Sequence, residues 1–489
     1  MSAQFGRSNA PDWLAWFWLV IGAVLTVFSN GRWAIPAAAW LAPIFMLRYT
    51  RSQKPVRGLV IGGLLTAAAY IISWQGMIPI DGIWYYVIAG SIGLIFWLPY
   101  AVDRYLSPRI QGFASTLVFP FTFVSIELVS LLTNPYLTWG SLAYTQYSFL
   151  PLKQLASLTG LSGIVFMVAW FGAVINWAWE QTFAWKRTWP GLGFYAGLLV
   201  AVLIYGTARL VWDGSQTQTV RVAGIVMSDE LIDLWLDGYV NPGEIDDHSQ
   251  TILDDYITRT RQVAAAGVEI VSWDEGAIIV SPSKEADAIQ QGQRLAQEEE
   301  IYLLMPLLVK PVDEESLAED KVVLIDPDGE VVDEYLKTVV VPGDGQVAGD
   351  GPLPVTSIPA GSLGAAICYD MDDPRVIRQA GRAAVGLLLV PSDDWAAIDP
   401  MHSWMASYRA IENGFSLFRP AREAVSETYD SRGRVLAAVS NSTPDRVMVA
   451  NVPVESAWTL YPAIGDLFAW LNVAGLAALT VMSVVGHRA

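Results

Sequence analysis

The sequence predicts a membrane protein with eight transmembrane α-helices and one extracytoplasmic α/β domain. Three observations carry that prediction. The 489-residue chain is 53% hydrophobic and only 16% charged, with a mean hydropathy of +0.37; a soluble globular chain has about 25% charged residues. Uncharged apolar runs follow one another as far as residue 208, and one more lies at 467–486. The charge is also split along the chain. Residues 1–219 hold 12 Lys/Arg and 6 Asp/Glu, whereas residues 220–489 hold 18 and 42. The net charge of -18 is therefore an average over two different materials. This hydrophobicity excludes a disordered chain. A strongly acidic domain argues against a nucleic-acid partner and against steering toward anionic lipid.

The apolar runs are 13–30, 33–47, 58–80, 82–102, 110–152, 155–179, 188–208 and 467–486. A spanning helix needs about 20 apolar residues, and most of the runs supply them. The run at 33–47 is short and carries Pro36 and Pro43, so a kinked or incomplete span is expected. The run at 110–152, interrupted by Glu127, is too long for one pass. It reads as a helix over 110–132, then an irregular segment around Asn134-Pro135-Tyr136, Trp139-Gly140 and Tyr144-Thr145-Gln146. Glu127 is an acid inside an apolar span, for which a packing role is expected. Asp12 precedes the first run and no small-residue cleavage site follows it, so it is read as a span and not as a cleaved leader. Trp13, Trp33, Trp179, Trp189 and Trp212 at span ends are read as interface anchors.

Basic residues orient the spans. With the N-terminus in the cytoplasm, that side carries Arg7, Arg48, Arg51, Lys54, Arg57, Arg104, Arg109, Lys186, Arg187 and Arg488. The other side keeps Arg32, Lys153 and Arg209. Seven spans then place the acidic domain outside the cytoplasm, and the eighth returns the C-terminus. The expected organisation is a seven-helix part over 1–215, the domain over 216–460, and a last helix over 461–489.

Within the domain, Val/Ile/Leu-rich runs alternate with polar helical stretches. Strands are expected at 220–226, 268–273, 301–308, 321–325, 363–369, 385–390 and 447–452. Helices are expected at 244–266, 283–299 and 401–413, and Asp326-Pro-Asp-Gly329 is a turn between strands.

Cys368 is the only cysteine, which excludes a disulfide framework or a cysteine-based metal site. It follows the apolar run Leu363-Gly-Ala-Ala-Ile and enters a polar turn, where an α/β enzyme presents a nucleophile. Its thiolate is the reactive form, so a base must take its proton or a cation must lower its pKa. A Cys–His pair is open only through His248 or His402; His487 sits at the far terminus. Glu275 follows the strand at 268–273 and is a candidate general base. Lys337 is one of seven lysines and is placed to stabilise an oxyanion or the thiolate.

The order Glu275…Lys337…Cys368, each at a strand end, resembles the apolipoprotein N-acyltransferase family, membrane enzymes of the nitrilase (carbon–nitrogen hydrolase) superfamily. The resemblance covers nearly the whole chain. The family's Trp-Pro-Glu is matched by Trp273-Asp274-Glu275, and its Tyr-x-Lys-x-x-Leu-Val-Pro by the segment from Tyr335 through Lys337 to Pro342. Its Ile-Cys-Tyr-Glu is matched by Ile367-Cys368-Tyr369-Asp370. Trp235, Trp395, the segment Met401-His402…Arg409-Ala410-x-Glu412, and Trp139 with Tyr144-Thr-Gln146 are further matches.

Several positions depart from the family's pattern. Asp344, in Pro342-Gly-Asp344, stands where the family has Pro-Phe-Gly-Glu. Asp274 replaces the proline of Trp-Pro-Glu. The family's Ser-Asn-Asp-Ala-Trp-Phe is Pro391-Ser392-Asp393-Asp394-Trp395-Ala396, and its Thr-Asn-Asn-Gly is Ala421-Arg422-Glu423-Ala424.

The resemblance implies an α-β-β-α sandwich for the domain. It also implies two-step acyl transfer: Glu275 takes the proton of Cys368, the thiolate attacks a phospholipid ester, and Lys337 with the following backbone N–H holds the oxyanion. The resulting thioester then passes its acyl chain to the α-amine of a diacylglyceryl-cysteine at a lipoprotein N-terminus. Tyr369, Asp370, Asp344, Trp235 and Trp395 are the expected supporting or substrate-binding positions. No metal or organic cofactor is implied. The expected partners are a phospholipid donor, the diacylglyceryl-modified apolipoprotein and membrane lipid, with the enzyme a monomer in the plasma (inner) membrane. Alternatives are a membrane-anchored nitrilase-type amidase, another acyl acceptor, or a catalytically degraded paralogue.

Overall fold

The computed structural model describes residues 12–212, 218–313 and 316–485. Arg7, His487 and Arg488 lie outside them. The chain divides into two compact units, Met1–Trp212 with Ile464–Ala489, and Asp213–Ala463.

The first unit is helical. Among the described residues, six helices are long and apolar enough to cross a membrane: Pro55–Ser73, Ile83–Arg109, Gly112–Thr133, Leu161–Glu180, Trp185–Val211 and Leu467–Val485. Trp13–Val27 is a shorter apolar helix. The run at 33–47 gives the helix Pro36–Ser52, with Pro36 in its first turn, where no N–H is needed, and Pro43 inside. The run at 155–179 is broken at Gly160, whose φ of 62° separates Ala156–Thr159 from Leu161–Glu180. The 110–152 run gives the helix Val118–Thr133 and then irregular chain to the short turn Leu142–Gln146.

Glu127, Asn30, Gln146 and Arg51 of this unit find polar partners, as an apolar surrounding favours. Glu127 accepts from the Ser141 hydroxyl at 2.7 Å and the Leu142 N–H at 2.9 Å, tying its helix to the irregular segment. Asn30 donates to the Gly140 carbonyl, and Gln146 accepts from Trp40 at 2.9 Å. Arg51 forks onto Asp103 at 2.8 and 2.9 Å and reaches Glu180 at 3.2 Å, joining three helices. Trp13, Trp33, Trp189 and Trp212 are exposed, as interface anchors require. Trp179 is different: it packs edge-on against Trp18 and lies under the Arg48 guanidinium, so it is a packing residue.

The second unit has two large sheets and a short two-stranded pairing of Ser392–Asp393 with Ala421–Arg422. The first runs, in spatial order, Val447–Pro453, Thr219–Ile225, Ile270–Trp273, Tyr302–Val309, Glu319–Ile325, Val331–Leu336, with Ile278–Val280 also paired to Tyr302–Val309. The second runs Val435–Val439, Ser426–Tyr429, Ser416–Arg419, Leu387–Leu389, Gly361–Ala365, Val355–Ile358. Val220, Val222, Leu304 and Val322 of the first sheet share one core with Leu363, Leu387 and Leu417 of the second. The sheets therefore pack face to face. The helices Ile245–Ala265 and Glu285–Glu299 cover the outer face of the first sheet through Ile252, Tyr256 and Leu295. Ile377, Ala380, Ala406 and Ala410 bring the helices Pro374–Arg382 and Met401–Asn413 onto the second. The order of layers is α-β-β-α.

Six of the seven expected strands and all three expected helices are present within about two residues. The strand expected over 363–369 ends at Ala365, and Cys368 opens a 3-10 turn instead. The reason is local: Asp370 accepts the Ile367 N–H at 2.9 Å and turns the chain out of the sheet.

Candidate active site

Cys368 sits in that turn with φ at +36°, in the left-handed region that L-residues adopt only at a cost of order 1–3 kcal/mol. Its N–H donates to the Pro391 carbonyl at 2.9 Å, and Asp370 locks the turn. The Asp370 carboxylate also accepts the N–H groups of Thr338 at 3.1 Å and Val339 at 2.8 Å, and the Tyr335 hydroxyl at 3.0 Å. One side chain thus fixes the Cys368 turn and the end of the strand that leads into Lys337. Burial raises the Asp370 carboxyl to about 6 against the pull of those donors.

The structure brings Glu275, Lys337 and Cys368 together. Lys337 donates to Glu275, and Glu275 accepts the Asp393 N–H at 2.6 Å and lies near the Cys368 thiol. The thiol also faces the Asp393 carbonyl at 3.9 Å and Asp394 Oδ1 at 3.8 Å. All three groups are buried. Burial, with Glu275 and Asp394 nearby, pushes the Cys368 thiol well up, so the resting group is S–H. Burial alone would raise Glu275, but Lys337 and the hydrogen bonds hold it below its ordinary value. Burial alone would lower Lys337; its two carboxylate partners hold it charged.

The second partner, Asp320, was not expected from the sequence. Lys337 donates to its Oδ2 at 3.0 Å. Its strand begins at Glu319, two residues before the expected start, and alternates so that Asp320 points inward while Glu319 and Lys321 point out. An acid at the inward position of an alternating strand was the signal available.

Asp394 is held from behind the thiol. It accepts from Arg419 Nη2 at 2.7 and 2.9 Å and from His402 Nδ1 at 2.7 Å, and His402 Nε2 meets Asp372 at 3.1 Å. With a carboxylate on each ring nitrogen, His402 is raised to about 9, and it is an imidazolium at neutral pH. Cys368, Asp394 and His402 have ligand atoms within 4.8 Å of one another. The Arg419 guanidinium lies 3.0 Å from His402 Nδ1 and puts a positive charge there, so the cluster reads as an ion network. His248, by contrast, pairs with Asp237 in another part of the domain.

Two models of known families match the chain: the apolipoprotein N-acyltransferase N-terminal domain over residues 22–174, and carbon–nitrogen hydrolase over residues 248–459. Each covers one of the two units in the order seen here. The chain belongs to the apolipoprotein N-acyltransferase family. It is 24% identical to the apolipoprotein N-acyltransferase of Geobacter metallireducens, over 98% of both chains. It is 26% identical to that of Rhodopseudomonas palustris, over 96% of this chain and 88% of the relative.

Against the apolipoprotein N-acyltransferase pattern, the unusual charges turn out to be spatially linked. Arg422 pairs with Asp393, lies 3.8 Å from Asp274, and donates to the Glu275 carbonyl at 3.2 Å. Asp393 and Arg422 face each other in register across a short parallel pairing. The guanidinium also lies over the Trp235 ring at 4.4 Å, and Trp235 Nε1 donates to the Gly276 carbonyl at 2.7 Å. Trp235 therefore braces the loop that carries Glu275. Burial lifts Asp274 to about 6 although Arg422 opposes it. Tyr369 is buried beside Cys368. Trp395 is half-buried in the loop after Ser392–Asp393. Asp344 lies on the exposed loop after Val341, and among the described residues its carboxylate makes no hydrogen bond to Glu275, Lys337 or Cys368.

Proposed function

We propose that the protein moves a fatty acyl chain from a phospholipid to the N-terminal diacylglyceryl-cysteine of lipoproteins, through a thioester on Cys368. The observation that carries the proposal is a buried thiol, carboxylate and ammonium around one turn, in a chain of this family. Glu275 takes the S–H proton as sulfur attacks the ester carbonyl. Lys337 stabilises the oxyanion, and it is aimed there before the reaction, so little reorganisation is needed. The lyso-phospholipid leaves with the proton from Glu275. The α-amine then attacks the thioester, loses its proton to Glu275, and releases the Cys368 thiolate, which regains the proton.

The same reading takes the helices as eight spans with both termini in the cytoplasm and the catalytic domain on the far side. That arrangement keeps the reacting atoms near the tails of both lipid substrates. Water must be kept out, because it would otherwise take the acyl group.

Mass spectrometry of lipoprotein N-termini from a strain lacking the gene tests the acceptor. The expected result is loss of the amide-linked chain, restored by the wild-type protein and not by Cys368→Ala. Lipoproteins that keep all three chains without the gene contradict the proposal.

A further inference from the structure

We infer that Asp320 is a positioning residue that works as a neutral carboxylic acid, sharing one proton with Glu275 across the Lys337 ammonium. The inference deepens the proposed role of the Glu275–Lys337–Cys368 group and rests on it.

The geometry leads there directly. Lys337 Nζ donates to both Glu275 Oε1 and Asp320 Oδ2, the latter at 3.0 Å, and all three side chains are buried. The two carboxyls meet the same ammonium from one buried pocket. Two ionised carboxylates against one ammonium leave a net negative charge buried there, and one proton on a carboxyl removes it, as in other buried carboxyl pairs. The donors decide which. Glu275 accepts from Lys337 and from the Asp393 N–H at 2.6 Å. Asp320 accepts from Lys337 alone, and its Oδ1 is buried with no donor among the described residues. The better-solvated carboxylate keeps the charge, so the proton resides on Asp320.

This assignment has a chemical consequence. With Asp320 neutral, Glu275, Lys337 and the thiol sum to zero charge, and the ammonium stays available to a thiolate or oxyanion. With Asp320 ionised, the pocket carries one net negative charge, Lys337 is neutralised, and thiolate formation is opposed. Other charges face the group. Asp344 lies on the loop beyond Lys337, and Asp393 is paired with Arg422. Asp394 is paired with Arg419 beside the thiol. Lys321 points the other way and pairs with Glu285 and Glu319. None of these donates to Asp320.

The test uses the full-length protein in detergent micelles and needs no substrate. Cys368 is the only cysteine, so carbamidomethylation by iodoacetamide, followed by mass spectrometry, reads it alone. Rates are measured from pH 6 to pH 10 for wild type and Asp320→Asn, which is a permanent mimic of the neutral acid. The expected result is equal rates within about two-fold at pH 6–7, and several-fold faster labelling of the variant at pH 9–10. A constant acceleration at every pH would mean that Asp320 is always ionised, and it overturns the inference. Identical profiles overturn it as well. If the variant does not fold, Asp320→Ser, which also removes the titrating carboxyl, is compared with wild type in its place, with the same supporting and contradicting results. Because acyl transfer is not measured, the outcome is independent of which acceptor the enzyme uses.

Discussion

Asp370 shows how much one side chain carries at the residue scale. It accepts four hydrogen bonds, from Ile367, Thr338, Val339 and Tyr335, and so couples the Cys368 turn to the Lys337 strand. Asp370→Asn leaves one acceptor oxygen and turns an amide N–H₂ toward donors. We expect a loss of about 1–3 kcal/mol in stability, from buried groups left unpaired. Denaturant titration of the variant measures it, and acylation should slow because the two catalytic elements no longer share an anchor. Tyr335→Phe removes the hydroxyl's bonds to Asp370 and Thr338 and should cost about 1–2 kcal/mol. Glu275, Lys337 and Cys368, which the structure brings together, were legible as candidates in the sequence, because each stands at a strand end and their order matches a family. Asp320 was not, since the strand bearing it begins before its apolar stretch, and its inward direction follows only from pairing with Tyr302–Val309 and Val331–Leu336.

At the scale of elements, the departures from the family pattern change meaning once strands are placed. In sequence, Asp274 and Arg422 are separate oddities, and Asp393 is an ordinary match to the family. In the fold, 392–393 and 421–422 lie side by side, and Arg422 meets both acids. No local pattern links residues so far apart; the topology does. Asp393→Asn and Arg422→Asn should each reduce stability and activity, the arginine change more, because it strands buried Asp274 as well as half-buried Asp393. The double variant should recover part of the loss, with a coupling energy of about 0.5–3 kcal/mol. Strictly additive effects would mean the pair is not functionally linked. The helix Met401–Asn413 makes a different contribution, through His402 between Asp372 and Asp394. Its pKa is raised from 6.5 to about 9, so its stabilising effect is complete below 6.5 and is lost as pH rises through 9. The shift corresponds to at most about 3 kcal/mol. Thermal unfolding should therefore move to lower temperature between pH 6.5 and pH 9, and His402→Gln should flatten that slope.

For the molecule as a whole, the charge split along the sequence already separated the two materials, and the apolar runs located the helices. The sequence could not show which buried polar groups hold those helices. Arg51 was counted as an orienting charge, yet it is also a structural fork onto Asp103 and Glu180. Orientation can be tested by labelling intact cells, or spheroplasts where an outer membrane must be removed, with a membrane-impermeant maleimide. Ser442→Cys, on an exposed loop of the domain, should label from outside, and Lys186→Cys should label only after lysis. The reverse pattern would invert the proposed topology.

The proposed acyl transfer stands or falls on an acyl chain carried by Cys368. The direct measurement is intact-protein mass spectrometry after incubation with phospholipid and no acceptor amine. The expected result is a mass increase of one acyl group, released by hydroxylamine, absent in Cys368→Ala and strongly reduced in Glu275→Gln. An acyl adduct that persists in Cys368→Ala would contradict it.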